Sequence, residues 1–192
     1  PNSTAAGQNI LSYIQLFVQH GYDVTFACAA DKSPHSAPLL SLGVHEKAIE
    51  LNDSSFDAFV NNLAPVITVF DRFISEEQYG WRVSAAAPQS MKILDCEDLH
   101  FLREARHQAY KQSKNNSEYD VTLSTKELMY SDMCKRELAS IMRCDLSILL
   151  SKYECDLLTG TFGIPSSFIH YCPFLLAKPM QNKLAKSFEQ RA

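Results

Sequence analysis

No apolar run in this sequence approaches the roughly 20 residues that a membrane-spanning helix requires. No basic stretch followed by an apolar core marks a secretory leader either, so the expected setting is cytoplasmic and reducing. The six cysteines include no C-x-x-C pair, which removes the usual spacing of a structural zinc site, and no metal is expected. Without an export signal, the N-x-S/T triplets at Asn2, Asn52 and Asn115 read as chance matches. Positive charge is also scarce: the net charge is −4, which leaves no electrostatic footprint for nucleic acid. The motifs G-x-G-x-x-G, G-x-x-x-x-G-K-[ST] and G-x-S-x-G do not occur, so dinucleotide, NTPase and α/β-hydrolase readings lose their main support. The acidic pair that a phosphoacceptor receiver carries after its first strand is missing too.

What is present is a globular composition, with 46% hydrophobic and 21% charged residues over 192 positions. Thr4 or Ser3 caps a helix over 4–20 whose apolar face is Ile10, Ile14, Phe17 and Val18. A buried-type strand follows in 23–30, then a short helix over Leu39–Leu42 and a weak strand at Ala48–Leu51. Ser54 or Ser55 opens a helix carrying Phe56, Phe59, Val60 and Leu63. Val66–Phe70 is the clearest strand, and the capping box Ser75–Gln78 starts the helix behind it. A strand over 91–95 and a helix over 99–112 come next, then a polar surface excursion to Tyr119. A second box, Ser124–Glu127, opens a long helix to about Arg143; a strand at Leu146–Leu150, a third box at Ser151–Glu154 and a short strand within 164–171 complete the series. Alternation at this spacing predicts an α/β fold with a Rossmann-like, doubly wound and mostly parallel sheet over 1–177, and a polar linker over 178–192.

One element is out of order. Such sheets open with a strand, whereas Pro1–Gly7 reads as the second half of a strand-to-helix turn whose strand is left off. In the strand order 3-2-1-4-5, the first strand lies between those at 23–30 and 66–70. Those two should therefore either pair directly or leave a gap and an exposed ladder, with poor solubility, and the natural polypeptide is expected to begin earlier.

The chemistry concentrates in M-K-I-L-D-C-E-D-L-H, residues 91–100, where a strand delivers Asp95, Glu97, Asp98 and His100 to the carboxyl edge at which open α/β sheets bind ligands. Asp95 or Asp98 could orient His100 as a proton acceptor. Glu97 and Asp98 equally suit an ordinary helix start. Asp71 and Arg72 end the best strand, as acceptor contacts or as an ion pair with each other. The free N–H groups at the start of the first helix, beside the small residues Ala5, Ala6 and Gly7, would admit a phosphate or sugar. Arg103 and His107 share a helix face with His100; Glu76, Glu77 and Gln78 read as capping residues, and Trp81 as core.

The segments P-N-S-T-A-A-G at 1–7, V-F-D-R-F-I-S-E-E-Q-Y-G-W-R-V at 69–83, I-L-D-C-E-D-L-H at 93–100 and C-D-L-S-I-L-L-S at 144–151 resemble, in order, the N-terminal domain of group 1 (family 4-like) glycosyltransferases. The resemblance implies one half of a GT-B fold, the half that receives the acceptor. A second, nucleotide-sugar-binding domain would follow Ser187–Arg191, and the family's glutamate pair would belong to that domain. On this reading Asp95 and His100 are candidate catalytic residues. Asn2, Ser3, Ala6, Gly7, Asp71, Arg72, Glu97, Asp98 and Arg103 are candidate substrate-binding residues. The partners are a nucleotide-sugar, which is substrate rather than cofactor, a hydroxyl acceptor and the second domain. A non-catalytic α/β interaction module and half of a sugar-nucleotide epimerase are the alternatives.

Overall fold

The computed structural model describes residues 4–114 and 127–175. The elements run α1 (Ala5–Gln19), β1 (Thr25–Cys28), β2 (His45–Ala48), α2 (Ser55–Leu63), β3 (Ile67–Asp71), α3 (Arg72–Ala86), β4 (Met91–Glu97), α4 (His100–Ser113), α5 (Asp132–Arg143), β5 (Leu146–Leu149), α6 (Lys152–Gly160) and β6 (Ile169–Tyr171). Short 3-10 turns cover Leu39–Leu42 and Ser166–Phe168. Every ladder among the described residues is parallel, and the architecture is the expected Rossmann-like α/β fold.

The described strands fall into two sheets, with a break between β1 and β3. β1 pairs with β2 alone, β3–β4–β5–β6 form a second sheet, and no ladder joins β1 to β3 among the described residues. Apolar packing is divided in the same way. Phe70, Leu94, Cys96 and Leu149 of the four-stranded sheet share a core with Phe56, Val60, Val83, Phe101, Leu102, Ile141 and Leu158 from the helices. A separate cluster joins Ile14 of α1 to Leu39 and Val44, with Ile10, Val18 and Phe26 packed against it.

Local chemistry accounts for several boundaries. Thr4 caps α1 by accepting the Gly7 N–H at 3.1 Å. Gly21, at φ +81°, ends α1 in the left-handed region that glycine adopts without a Cβ penalty. Ser151 caps α6.

Three local readings are corrected. β2 lies at His45–Ala48 rather than Ala48–Leu51; its H-E-K-A sequence has no apolar run to announce it, and it is held by the ladder to β1. α3 starts at Arg72, so Ser75–Gln78 lies inside the helix and caps nothing. Glu76 is instead buried and ion-paired with Arg143, Nη2 to Oε2 at 2.5 Å, while Glu77 pairs with Arg136. Gly80 makes room for this, because a Cβ there would collide with the Glu76 carboxylate. Trp81, read as core, is 60% exposed and lies under the Arg82 guanidinium, 4.6 Å from ring centroid to Cζ.

The box Ser124–Glu127 lies mostly outside the described residues, and the described helix toward Arg143 has Ser131 as its cap. The 178–192 tail lies outside them too.

Leu94 is 0% exposed at the centre of the larger core, whereas Val69 on neighbouring β3 is 36% exposed. Leu94→Ala is therefore expected to destabilise the fold by about 3 kcal/mol and Val69→Ala by less than about 1 kcal/mol, as read by urea denaturation.

Candidate functional site

The ladder between β3 and β4 sets Asp71 directly opposite Asp95 at the carboxyl ends of the two strands. Each strand then turns through a non-glycine residue in the left-handed region, Arg72 at φ +67° and Glu97 at φ +56°. Such conformations cost on the order of 1–3 kcal/mol each and concentrate at functional sites. At Glu97 the strain coincides with a register irregularity between Asp95 and Glu97 against β5.

At the surface, the Arg72 guanidinium grips the Asp71 carboxylate with two hydrogen bonds of 2.9 and 3.1 Å, both side chains being nearly half exposed. Asp98 and Arg103 form a second exposed pair, with Nη1 at 2.7 and 2.8 Å from the two carboxylate oxygens. The Asp–Arg ion pairing weighed for Asp71 and Arg72 is thus present, and Arg103 and Asp98 likewise neutralise one another.

Beneath this surface Asp95 is 0% exposed. It accepts two long hydrogen bonds, from the Asn9 side-chain amide and from the Glu97 backbone N–H, each 3.4 Å. Burial, then the neighbouring Glu97 charge, push its carboxyl up to about 7, against the opposing pull of the Glu97 N–H. Glu97 itself is raised by burial and by Asp71, with Arg72 opposing. Tyr13, one turn beyond Asn9 on α1, is raised by its own burial and then by Asp95. The Asn9 Oδ1, Tyr13 hydroxyl and Glu97 Oε1 atoms are buried without a hydrogen-bond partner among the described residues. Asn9 and Tyr13 therefore belong to the site, although the sequence reading passed over them. Their only signal was polar spacing of four residues beside the apolar positions Ile10 and Ile14.

His100 does not meet Asp95 or Asp98. Its Nδ1 lies 3.1 Å from Glu137 Oε1, which also accepts the His100 backbone N–H, while Glu137 Oε2 accepts the Phe101 N–H at 3.1 Å. Glu154 Oε1 takes the Leu99 N–H at 3.3 Å. Two buried carboxylates from α5 and α6 thus fill the start of α4, which leaves those N–H groups engaged rather than open to an anion. A carboxylate can only accept, so Nδ1 carries a proton in this contact. The ring stands edge-on to Phe73 at 5.3 Å, and Phe73 also carries the Arg136 guanidinium at 5.3 Å.

The structure therefore gathers Asp71, Arg72, Asp95 and Glu97 at one rim with Asn9 and Tyr13, and sets Asp98–Arg103 beside them. It separates His100 from the carboxylates expected to orient it, and it encloses Asp95 completely. Ala6 is half-buried and Gly7 buried in the first turn of α1; Asn2 and Ser3 lie outside the described residues. A surface groove of about 350 Å³ lies away from the rim, between α2 and α3, lined by Asp57, Asn61, Trp81 and Arg82. Among the described residues, no group of three His, Cys, Asp or Glu side chains is placed to hold a metal ion, and no helix is long and apolar enough to cross a membrane. No family model matches this sequence, and no curated protein matches it.

The raised Asp95 carboxyl has a signed consequence. Its folded-state value of about 7 exceeds the ordinary 3.8, so the folded chain holds this proton more tightly than the unfolded one. The stability it confers is complete below about pH 4 and is lost as pH rises to about 7. Asp95→Asn is expected to flatten that part of the pH–stability curve in urea titrations. Glu137→Ala, which strands two buried N–H groups, is expected to cost about 2 kcal/mol, with Glu137→Gln recovering part of it, as read by thermal unfolding.

Proposed function

We propose that this chain is the acceptor-side domain of a glycosyltransferase of GT-B architecture, moving a sugar from a nucleotide-sugar to an acceptor hydroxyl. The observation that carries this reading is the rim itself: two adjacent parallel strands end in Asp71 and in Asp95–Glu97, under the first turns of α1. Ligands of open α/β sheets lie at that edge. The partly exposed carboxylates of Asp71 and Glu97 accept hydrogen bonds from the acceptor's hydroxyls, and Arg72 fixes the Asp71 carboxylate. Glu97, raised above the ordinary glutamate value, is the rim's best-placed proton acceptor. Asp95 acts through Glu97 by holding its backbone N–H, a positioning role rather than a catalytic one. A second Rossmann-like lobe facing the rim holds the nucleotide-sugar. Six free thiols accord with a cytoplasmic setting.

One observation favours a second reading, a non-catalytic α/β binding module: the deepest carboxylate and the imidazole are both engaged in internal contacts. Nucleotide release assayed with a panel of nucleotide-sugars, on the polypeptide carrying both lobes, separates the two. Transfer that falls by about a hundredfold in Glu97→Gln and is unchanged in Trp81→Ala supports the transferase reading. Transfer indifferent to Glu97 and Asp71, or no transfer at all, supports the binding module.

A further inference from the structure

α4 buries Phe101, Leu102, Ala105 and Ala109 against the core. On the side opposite those four, Arg103, His107, Tyr110 and Lys114 recur at three- and four-residue steps, which sets them on one exposed stripe of the helix. Arg106 and Lys111 flank it and are exposed as well. Over 100–114 four cations thus stand against one carboxylate, Glu104, which lies off the stripe and accepts the Gln108 amide at 2.8 Å. The helix carries +3 in a chain whose total is −4, which leaves −7 for the remainder. Its outer face is opposite in sign to the rest of the molecule.

Two exposed phenol rings belong to the same face. Tyr153 of α6, 59% exposed, lies under the Arg106 guanidinium, 5.3 Å from Cζ to the ring centroid. Tyr110, 55% exposed, carries the Lys114 ammonium at 4.8 Å. A ring holds a cation without neutralising it. Lys152, next to Tyr153, continues the basic face onto α6, with the Asp156 carboxylate 3.9 Å away. At the other end Arg103 is paired with Asp98.

We propose that this face of α4, with Lys152 and Tyr153 at its side, docks the protein on an anionic phospholipid surface. Four or more Lys and Arg on an amphipathic helix complement acidic headgroups. Exposed tyrosines suit the level at which headgroups meet acyl chains, where one end of the side chain is apolar and the other wet. The apolar face of α4 is committed to the core, so the helix lies on the headgroups through charge and phenol anchors and does not sink its own apolar stripe into the bilayer. A nucleic acid would call for a basic groove and for open rings on which bases stack. Here the charge runs along the outward ridge of one helix, and Arg106 and Lys114 already occupy ring faces. The negative remainder of the chain is repelled by the same lipids, which turns α4 toward the bilayer. The contact is independent of the rim: a chain that docks but transfers no sugar leaves it standing.

The test is co-sedimentation of the whole chain with vesicles of phosphatidylcholine alone and of phosphatidylcholine mixed with phosphatidylglycerol, at low and at physiological salt. Binding is expected to the mixed vesicles only, and to weaken as salt rises. Lys111→Gln combined with Lys114→Gln should weaken it by about twentyfold, at about fivefold per charge. Lys32→Gln combined with Lys135→Gln removes the same charge from exposed positions elsewhere and should bind as the parent does. Tyr110→Ala should weaken binding equally at both salts, the mark of an anchor other than charge. All these positions are exposed, so circular dichroism and Tm should match those of the parent. Equal binding to neutral vesicles, no binding to either kind, a loss in the Lys32 and Lys135 pair as large as in the α4 pair, or tighter binding to a DNA duplex than to the mixed vesicles at the same salt would each overturn the inference.

Discussion

The pairing of Ile67–Asp71 with Met91–Asp95 is the constraint on which the rest of the molecule depends. Side chains alternate between the faces of a strand, so a slip by one residue would turn the pattern inside out. Phe70 and Leu94 stand opposite one another and both enter the larger core. Asp71 and Asp95, one position further along, are thereby sent to the other face, toward α1. Burial of two apolar side chains, each worth on the order of 1.5–3 kcal/mol, sets the carboxylates of the rim in place. No local preference of the aspartates themselves is needed.

The second theme is carboxylate buried among helices. Glu76, Glu137 and Glu154 are nearly inaccessible, and each reaches a partner distant in sequence: Arg143, the start of α4, and Leu99. Hydrogen bonds to charged groups are worth roughly 1.5–3 kcal/mol, about twice the neutral kind. Such ties compensate the cost of burying charge and tie α4 to both α5 and α6. They also explain why α4 starts at its observed place although its Leu99 cap position offers no side-chain oxygen. The anion-attracting end of the helix is filled from within the protein, and the ligand-facing chemistry stays with β3, β4 and α1.

Much of the architecture was legible in the sequence because its signals are local. V-I-T-V-F and M-K-I-L-D announce β3 and β4, Thr4 and Ser151 cap where hydroxyl chemistry says they should, and the order of elements exposed the break between β1 and β3. β2 was displaced because a polar strand held by one neighbour carries no hydrophobic signature. The capping pattern Ser75–Gln78 misled because Asp71 and Arg72 are committed to one another and the helix begins at Arg72, three residues before the pattern. The partner of His100 lies 37 residues away on another helix, a separation no spacing rule spans. Asn9 was passed over because its significance arises only when α1 is laid across β4.

The two apolar clusters share no buried residue, which gives the molecule a seam. The smaller lobe, made of α1, β1 and β2, meets the larger core through Ile49, just past β2, and through the Lys47 ammonium on the Phe59 ring. α1 belongs by its apolar face to that lobe and by Asn9 and Tyr13 to the lid over Asp95. Local opening of that lobe would uncover the carboxyl of Asp95. Proton exchange at that carboxyl would then depend on how firmly Ile14, Leu39 and Val44 hold α1 down, although its hydrogen bonds come from Asn9 and Glu97.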